Sequence, residues 1–304
     1  MTVMKQKLVS LLSNWYSGAT LLTILLNGNS QIVSNGESMF FDENDNKRYD
    51  CSCGKYIDEC EFYEKATRHM RLPDAAGWDK QLFVQVPSFS QKRVLRSVLR
   101  SPRFEGVLRH QFMNVVPAYR GVRDRFVEAQ LQFFAAARRL TGASIYLDGT
   151  KSIRRTQLFA RDGRCDMRVL HLVRDGRGFC ASYRKHIHPE PSWDEAAKVW
   201  VSYIAQVDQF SRVFPSIPVL LVRYEDLCRA TTDVIREVCQ FIGVSYEEPG
   251  ASVMKDVHLL GNRMRRDFDG TIVEDTSWHE TLDTHTQVKL TSSMRRQLER
   301  FGYV

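Results

Sequence analysis

The sequence predicts an α/β fold, a central parallel sheet flanked by helices, and three observations predict it. Apolar runs of strand length recur at Lys7–Ser13, Gln31–Ser34, Ala143–Asp148, Met167–Val173 and Val219–Val222. Stretches with apolar residues at helical spacing lie between them, which is the alternation that builds a parallel sheet. Two of the runs pass through a tight glycine-containing turn directly into a helix. The chain of 304 residues fits one α/β domain spanning 1–304 with a mostly helical insertion around 39–140.

The first strand–turn–helix organises the rest. Lys7–Ser13 is broken by Asn14 to Gly18, and the apolar stretch Ala19–Leu26 then starts a helix that Asn27-Gly28-Asn29 ends. The loop Trp15-Tyr16-Ser17-Gly18-Ala19-Thr20 therefore sits where unpaired backbone N–H groups and the positive end of a helix dipole converge. Gly18 permits close backbone approach, and Ser17 and Thr20 add hydroxyls. This is an anion site, most naturally for phosphate. It is not a Walker loop, because the GxxxxGK[ST] spacing is absent and no lysine follows the glycine. An ordinary polar turn would read the same way in isolation.

Composition is that of a globular protein, and a net charge of +7 suits an anionic ligand without requiring one. There is no basic run of the kind that binds nucleic acid. No stretch reaches the roughly 18 apolar residues of a membrane span. The N-terminal apolar run is too short, and lacks the cleavage site, for a signal peptide. Seven scattered cysteines, an odd number, point to a reducing cytoplasm.

Further along, Cys51-Ser52-Cys53-Gly54 is followed by Cys60 and His69. Such a set can bind zinc, but the spacing matches no common finger, and a solvent-facing hairpin is the plainer expectation. Helical spacing recurs at 91–100 and at Arg125–Leu140. Lys151 follows the strand Ala143–Asp148, which puts it on the ligand edge of an open parallel sheet. Arg174 ends the strand Met167–Val173, and Ser182 stands eight residues later on the following helix. A guanidinium and a hydroxyl so placed can grip one phosphate, while Asp175 can cap the helix or hold Arg177. His186 and His188 lie in a proline-broken segment and read as solvated. Thr231 or Thr232 caps a helix that Gly243 stops. His258 to Arg266 is a basic loop.

Together these stretches resemble the sulfotransferases that use 3′-phosphoadenosine 5′-phosphosulfate (PAPS) and release 3′,5′-adenosine bisphosphate (PAP). The likeness is strongest to the bacterial stand-alone enzymes and reaches more distantly to the tyrosylprotein sulfotransferases. It rests on the loop Trp15 to Thr20, which corresponds to a P-[RK]-[ST]-G-[TS]-[TS] pattern, on Arg174 with Ser182, on Val222 to Leu227 (VRYEDL), and on the Cys51–Cys60 and Gly261–Arg265 segments with Trp278 downstream. The resemblance implies a three-layer P-loop-like fold. It implies that Tyr16, Ser17, Gly18, Ala19, Thr20 and Leu21 hold the 5′-phosphosulfate and that Arg174 and Ser182 hold the 3′-phosphate. One departure stands out, since Tyr16 occupies the place of the family's lysine or arginine. Lys151 is the first candidate to replace that cation and Arg265 the second.

Sulfuryl transfer, like phosphoryl transfer, is mostly in-line positioning and charge stabilisation. The loop N–H groups, Thr20 and Lys151 supply the stabilisation, and Glu37 is the candidate base, with His258 and His279 as fallbacks. Ser277 is a further contact for the transferring group. No metal is needed. The expected acceptor is a hydroxyl or amine of a small metabolite or soluble glycan, with the 39–140 insertion shaping acceptor choice. The alternatives are a P-loop-type small-molecule kinase and a degenerate member that binds nucleotide without turnover. The sequence carries no signal of oligomeric state.

Overall fold

The computed structural model describes residues 5–37, 49–70, 117–248 and 257–304. The helix expected over 91–100, and most of the insertion, lie outside these residues. Five strands, β1 (Gln6–Ser13), β2 (Ile32–Ser34), β3 (Ile145–Asp148), β4 (Cys165–Val173) and β5 (Val219–Arg223), form one sheet in the order β2-β3-β1-β4-β5. Every pairing is parallel, with Val9 opposite Leu147 on one side and Leu11 opposite Leu170 on the other. Each expected strand forms, its ends moved by one or two residues.

β1 reads as nearly continuous apolar sequence because both of its faces are covered. Val9 and Leu11 face Leu147, Leu170 and the helices Ala19–Asn27 and Thr231–Ile242. Leu8 faces the opposite way, into a core with Tyr146, Met167 and the helices Glu61–Arg68, Pro117–Thr141 and Ile153–Asp162. Leu12 and Val169 meet Val207 and Phe210 of the helix Trp193–Val213. The result is helix, sheet, helix in three layers. Among the described residues no helix is long and apolar enough to cross a membrane.

The sheet order fixes where ligands go. From β1 the chain leaves toward β2, and from β4 it leaves toward β5, on the other side. The crevice between the carboxyl ends of β1 and β4 is thus a topological switch point, the usual ligand position in open parallel sheets. The turns Asn14–Gly18 and Arg174–Asp175 both end there. Lys151 and Glu37 follow β3 and β2 on the same edge.

One buried polar unit anchors this edge. Arg155 is almost fully buried, and its Nε donates to Asp148 Oδ2 at 2.7 Å while Nη2 donates to Gln130 Oε1 at 2.5 Å. The other Asp148 oxygen accepts from Thr150 N at 3.2 Å and from the Thr150 hydroxyl. A charge this deep is tolerated because every partner is hydrogen-bonded. The pair locks the turn from which Lys151 projects.

Two local expectations need correction. Thr231 does not cap its helix. Ala230 occupies the N-cap with no side-chain bond, and the Thr231 hydroxyl instead donates to Leu227 O at 2.7 Å, tying two successive helices together. The helix Ile153–Asp162 has no counterpart among the expected elements, although Ser152 caps its start and Gly163 ends it in the left-handed conformation.

His171 of β4 is buried between the sheet and Phe301. Burial first, then Arg300, lowers its imidazole to about 4 against an opposing pull from Asp208. The folded state therefore holds it neutral, while the unfolded chain protonates it near the ordinary value. Stability contributed by neutral His171 is complete above pH ~6.5 and is lost as pH falls toward 4, about 3 kcal/mol in all. His171→Leu should remove that share of the acid sensitivity. The check is the difference in urea unfolding free energy between variant and wild type at pH 4 and pH 7, which should shift in the variant's favour on acidification.

Candidate active site

The first turn of the helix Ala19–Asn27 is open to a ligand. Its first internal bond runs from Leu22 N to Gly18 O at 3.0 Å, no side chain caps the end, and no acidic residue stands in the first turn. The N–H groups of Ala19, Thr20 and Leu21 precede that bond. Ala19 and Leu21 bury their side chains in the core, so they can meet an anion only through the backbone, whereas Thr20 is half-buried at the edge. The turn before the helix is wound tightly, with Tyr16 at φ 57° and Gly18 at φ 84°. A Cβ on Gly18 would come under 3.0 Å from two ring carbons of Tyr224. Glycine is required there twice over, by conformation and by space.

β4 delivers Arg174 to the same place. Its Nη1 donates to Tyr16 O at 3.0 Å and lies 3.2 Å from Ser182 Oγ, so the structure joins Arg174, Ser182 and the anion loop. The guanidinium stacks 5.0 Å over the Tyr224 ring. Its Nη2 donates to Asp275, to the carbonyl at 3.0 Å and to Oδ2 at 2.8 Å. Burial raises the Asp275 carboxyl, but hydrogen bonds from Ser277 and Arg174 outweigh that and hold it below the usual range. Ser277 bonds Asp275 Oδ1 at 2.6 Å and so sits at the Arg174 end of the site. Asp175 does both things expected of it, accepting from Arg177 N at 2.8 Å and pairing with the Arg177 guanidinium at 2.6 Å.

Glu37 and Lys151 meet as an ion pair, Nζ to Oε1 2.5 Å, with both side chains about nine-tenths buried. The backbone around them is constrained. Lys151 has φ 62°, and its carbonyl accepts from Tyr203 OH at 2.8 Å. Glu37 lies on an extended segment paired with the chain near Leu260, through Glu37 N to Leu260 O at 3.0 Å and Leu260 N to Asn35 O at 2.9 Å. A Cβ on Gly36 would run into the Leu260 carbonyl, and one on Gly261 would reach 3.1 Å from Glu37 Cγ. Glu37 and Thr20 line one small gap. Glu37, Lys151 and Tyr16 line a larger cavity of about 450 Å³, whose far wall carries Asp50, Leu260 and Arg265.

Tyr16 cannot supply the missing cation. Its ring stacks on His186 at 4.9 Å, and burial, followed by Tyr183 and Glu37, raises its phenol above the ordinary value. Arg265 faces the cavity but is tied into the scaffold. It donates to Gly261 O at 2.5 Å, Asn262 O at 2.8 Å and Asp50 Oδ1 at 2.7 Å. Lys151 is the cation beside Glu37.

The histidines divide differently. His279 is exposed and stacks on Trp278 at 3.7 Å. His258 turns its Nδ1 toward Cys60 Sγ at 3.2 Å and Cys51 Sγ at 3.6 Å. Residues 50–56 form a tight hairpin-like loop closed by the single Asp50–Tyr56 bridge, and a 3-10 turn at Ile57–Glu59 leads on to Cys60. This segment is not solvent-facing throughout, since Cys51 and Cys60 are fully buried. His69 is exposed, with its ring 2.6 Å from Lys65 O. Asp275 and Tyr203 carry no local sequence signal and enter the site only through folding, and Tyr224, though part of the VRYEDL stretch, is given no role at the site by the sequence.

Gly18→Ala should destabilise the protein by about 2–4 kcal/mol, from strain at positive φ plus the clash with Tyr224. Gly163→Ala, at φ 75° with open space around it, should cost only about 1 kcal/mol. Urea unfolding of the two variants separates the contributions, and equal losses would remove the Tyr224 constraint.

Residues 10–248 match the sulfotransferase family. No curated protein matches the sequence. Among solved structures, the chain is similar to the sulfotransferase domain from the curacin biosynthetic pathway, at 14% identity over 95% of this chain and 98% of that one, TM-score 0.49. It is similar to the sulfotransferase domain from the Synechococcus PCC 7002 olefin synthase, at 18% identity over 99% and 96%, TM-score 0.49. A sulfotransferase from Alicyclobacillus acidocaldarius is 14% identical over 97% and 96%, TM-score 0.42. With the match spanning most of its length, the chain belongs to the sulfotransferase family.

Proposed function

We propose that the protein moves the sulfuryl group of PAPS to a hydroxyl or amine of a small metabolite or glycan. The observation that carries this reading is the Glu37–Lys151 pair, at 2.5 Å, sharing its surroundings with the open first turn of the helix Ala19–Asn27. Family membership supports sulfuryl transfer. The donor set supports the nucleotide, with unpaired N–H groups and the Thr20 hydroxyl for a phosphosulfate and the Arg174–Ser182 pair for a second phosphate. The Asp275 carboxylate on Arg174 holds the position that a phosphate oxygen would claim. The cavity of about 450 Å³ beside Glu37 is of small-molecule size.

In the proposed reaction, the acceptor oxygen or nitrogen attacks sulfur in line. A new bond to sulfur forms as the bond from sulfur to the 5′-phosphate oxygen breaks, and the acceptor's proton passes to Glu37. Lys151 and the loop N–H groups stabilise the charge that develops on the leaving oxygen. Lys151 takes the part of the cation absent at Tyr16. The closed Glu37–Lys151 pair holds the two groups against each other until ligands separate them.

PAP should stabilise the protein in a thermal shift assay and bind by calorimetry, while ATP should do neither at equal concentration. Preference for ATP would favour a kinase, and binding of neither would remove the donor assignment. Arg174→Ala should weaken PAP binding roughly 10- to 100-fold, and Asp275→Asn should tighten it by about tenfold because a competing carboxylate is gone. An unchanged dissociation constant in both variants would overturn the 3′-phosphate assignment. Glu37→Gln should lower turnover on a sulfated acceptor by about 10²- to 10⁴-fold while PAP affinity holds. Near-wild-type turnover would take Glu37 out of the base role.

A further inference from the structure

Cys51, Cys53, Cys60 and His258 come together although His258 is 198 residues from Cys60 in sequence. Their ligand atoms, three Sγ and one imidazole nitrogen, all lie within 4.8 Å of one another. Three of the separations are 3.6 Å from Cys51 Sγ to His258 Nδ1, 3.2 Å from Cys60 Sγ to His258 Nδ1, and 3.6 Å from Cys53 Sγ to Cys60 Sγ. Zinc bonds of about 2.3 Å to sulfur and about 2.0 Å to nitrogen place tetrahedral ligands about 3.8 Å apart for two sulfurs and about 3.5 Å apart for sulfur and nitrogen. These three of the six edges are already near those lengths, and the whole set is within an ångström or so of them.

The surroundings are built to hold these four groups. The Cys51–Gly54 turn is closed by Gly54 N to Cys51 O at 3.0 Å, with Gly54 at φ 86°. Ser52, between two of the cysteines, bonds the chain on both sides of His258. Its N donates to Leu259 O at 3.0 Å, its Oγ donates to Val257 O at 2.6 Å, and Leu259 N returns a bond to that Oγ at 2.8 Å. The His258 ring is stacked on Phe62 at 4.7 Å, and its carbonyl accepts from Tyr63 OH at 2.8 Å. Two thiols are fully buried and the third is exposed, which leaves a path for an ion to enter.

We propose that Cys51, Cys53, Cys60 and His258 bind one zinc ion in a four-coordinate structural site. Three thiolates and one imidazole suit zinc over the harder cations. Four protein ligands leave no open position, so the ion does no chemistry on substrate. Its task is mechanical. It fastens the 50–56 hairpin to the 257–260 segment, which pairs with Gly36–Glu37 and leads into Gly261 and Arg265. Asp50 at the base of the hairpin receives Arg265 at 2.7 Å. Zinc thereby holds two walls of the cavity beside the Glu37–Lys151 pair. Each thiol releases its proton as its sulfur binds.

The test is metal analysis of the full chain purified without chelator. About one zinc per chain is expected in wild type, falling to less than roughly a tenth in Cys53→Ser and His258→Ala. Because a lost ligand can impair folding, a second measurement uses the wild type alone. Replacing zinc with cobalt(II) should produce the visible absorption of a tetrahedral thiolate site, and chelation should lower the melting temperature by about 5 °C or more. Three results would each overturn the proposal: a wild-type chain that takes up neither zinc nor cobalt when either is supplied, variants that keep their zinc, or a Cys53–Cys60 disulfide revealed as a mass lighter by two hydrogens. None of these readouts depends on the donor or acceptor, so the sulfotransfer reading stands or falls separately.

Discussion

Among the described residues nothing pairs with the backbone N–H groups at the start of the helix Ala19–Asn27, and the structure around them is arranged so that they stay available. No side chain caps them. The preceding turn takes positive φ at Tyr16 and Gly18, which directs the chain so that the helix axis points at the crevice between β1 and β4. Tyr224 lies flat against Gly18 and leaves no room for a Cβ. The same tyrosine receives the Arg174 guanidinium on its face at 5.0 Å, and its hydroxyl accepts from Asp275 N at 3.0 Å. One ring thus sets the spacing of the anion loop, the arginine and the carboxylate that balances the arginine. An uncapped, partly enclosed helix start costs stability, and a site of this kind persists where a ligand supplies the missing acceptor.

A second frame stands on the other side of the sheet edge. The segment 257–261 runs beside Asn35–Glu37. Asn35 is completely buried and donates to His258 O at 3.1 Å while Tyr146 OH donates to its Oδ1 at 3.2 Å. These bonds tie the segment to β3 through a tyrosine of the core. Glu37 is held by its own backbone pairing and by the close approach of Gly261, and Lys151 by the Arg155–Asp148 unit and Tyr203. The two charges therefore meet because two independent scaffolds each bring one of them. Preorganisation of this kind is what electrostatic stabilisation of a transition state needs, since little rearrangement remains for the moment of reaction.

What was legible in the sequence is what is local in the chain. The five strands were readable because burial on both faces writes an unbroken apolar run. The anion loop and the Arg174–Ser182 spacing were readable because strand, turn and helix are consecutive, so a few residues determine their geometry. Glu37 and Lys151 could be named separately as residues just beyond strand ends, but only the sheet order brings them into contact. Asp275 was not legible, because an acid 101 residues from Arg174 has no sequence mark that distinguishes it from any exposed aspartate. His258 was visible as a member of a basic loop and as a fallback base, and His69, nearer in sequence, looked the better companion for the cysteines. Thr231 failed as a cap because a hydroxyl at a helix start has two acceptable outlets, and a preceding helix put a free carbonyl within reach. The helix Ile153–Asp162 was legible in principle, since Ser152 and Gly163 bracket it, yet its arginines hide its apolar stripe. One of them, Arg155, is a core residue.

Tyr16 departs from the P-[RK]-[ST]-G-[TS]-[TS] pattern, as do Trp15 and Ala19, but it alone removes a charge, and the charges around it explain how the position can change. A lysine there would stand near both Arg174 and Lys151, three cations around one loop with Glu37 and Asp275 as the nearby acids. Tyrosine lowers that repulsion in the empty site and keeps a hydroxyl at the cavity wall. The ring also stacks on His186, so the loop gains packing where it gives up charge. On the proposed reaction, the demand for a cation then falls on Lys151, whose ammonium is paired with Glu37 at 2.5 Å. A multiply charged donor offers Lys151 a stronger partner than one carboxylate does, and the exchange leaves Glu37 free to take a proton. On that proposal, coupling the cation to the base would make the base available only when the donor is in place.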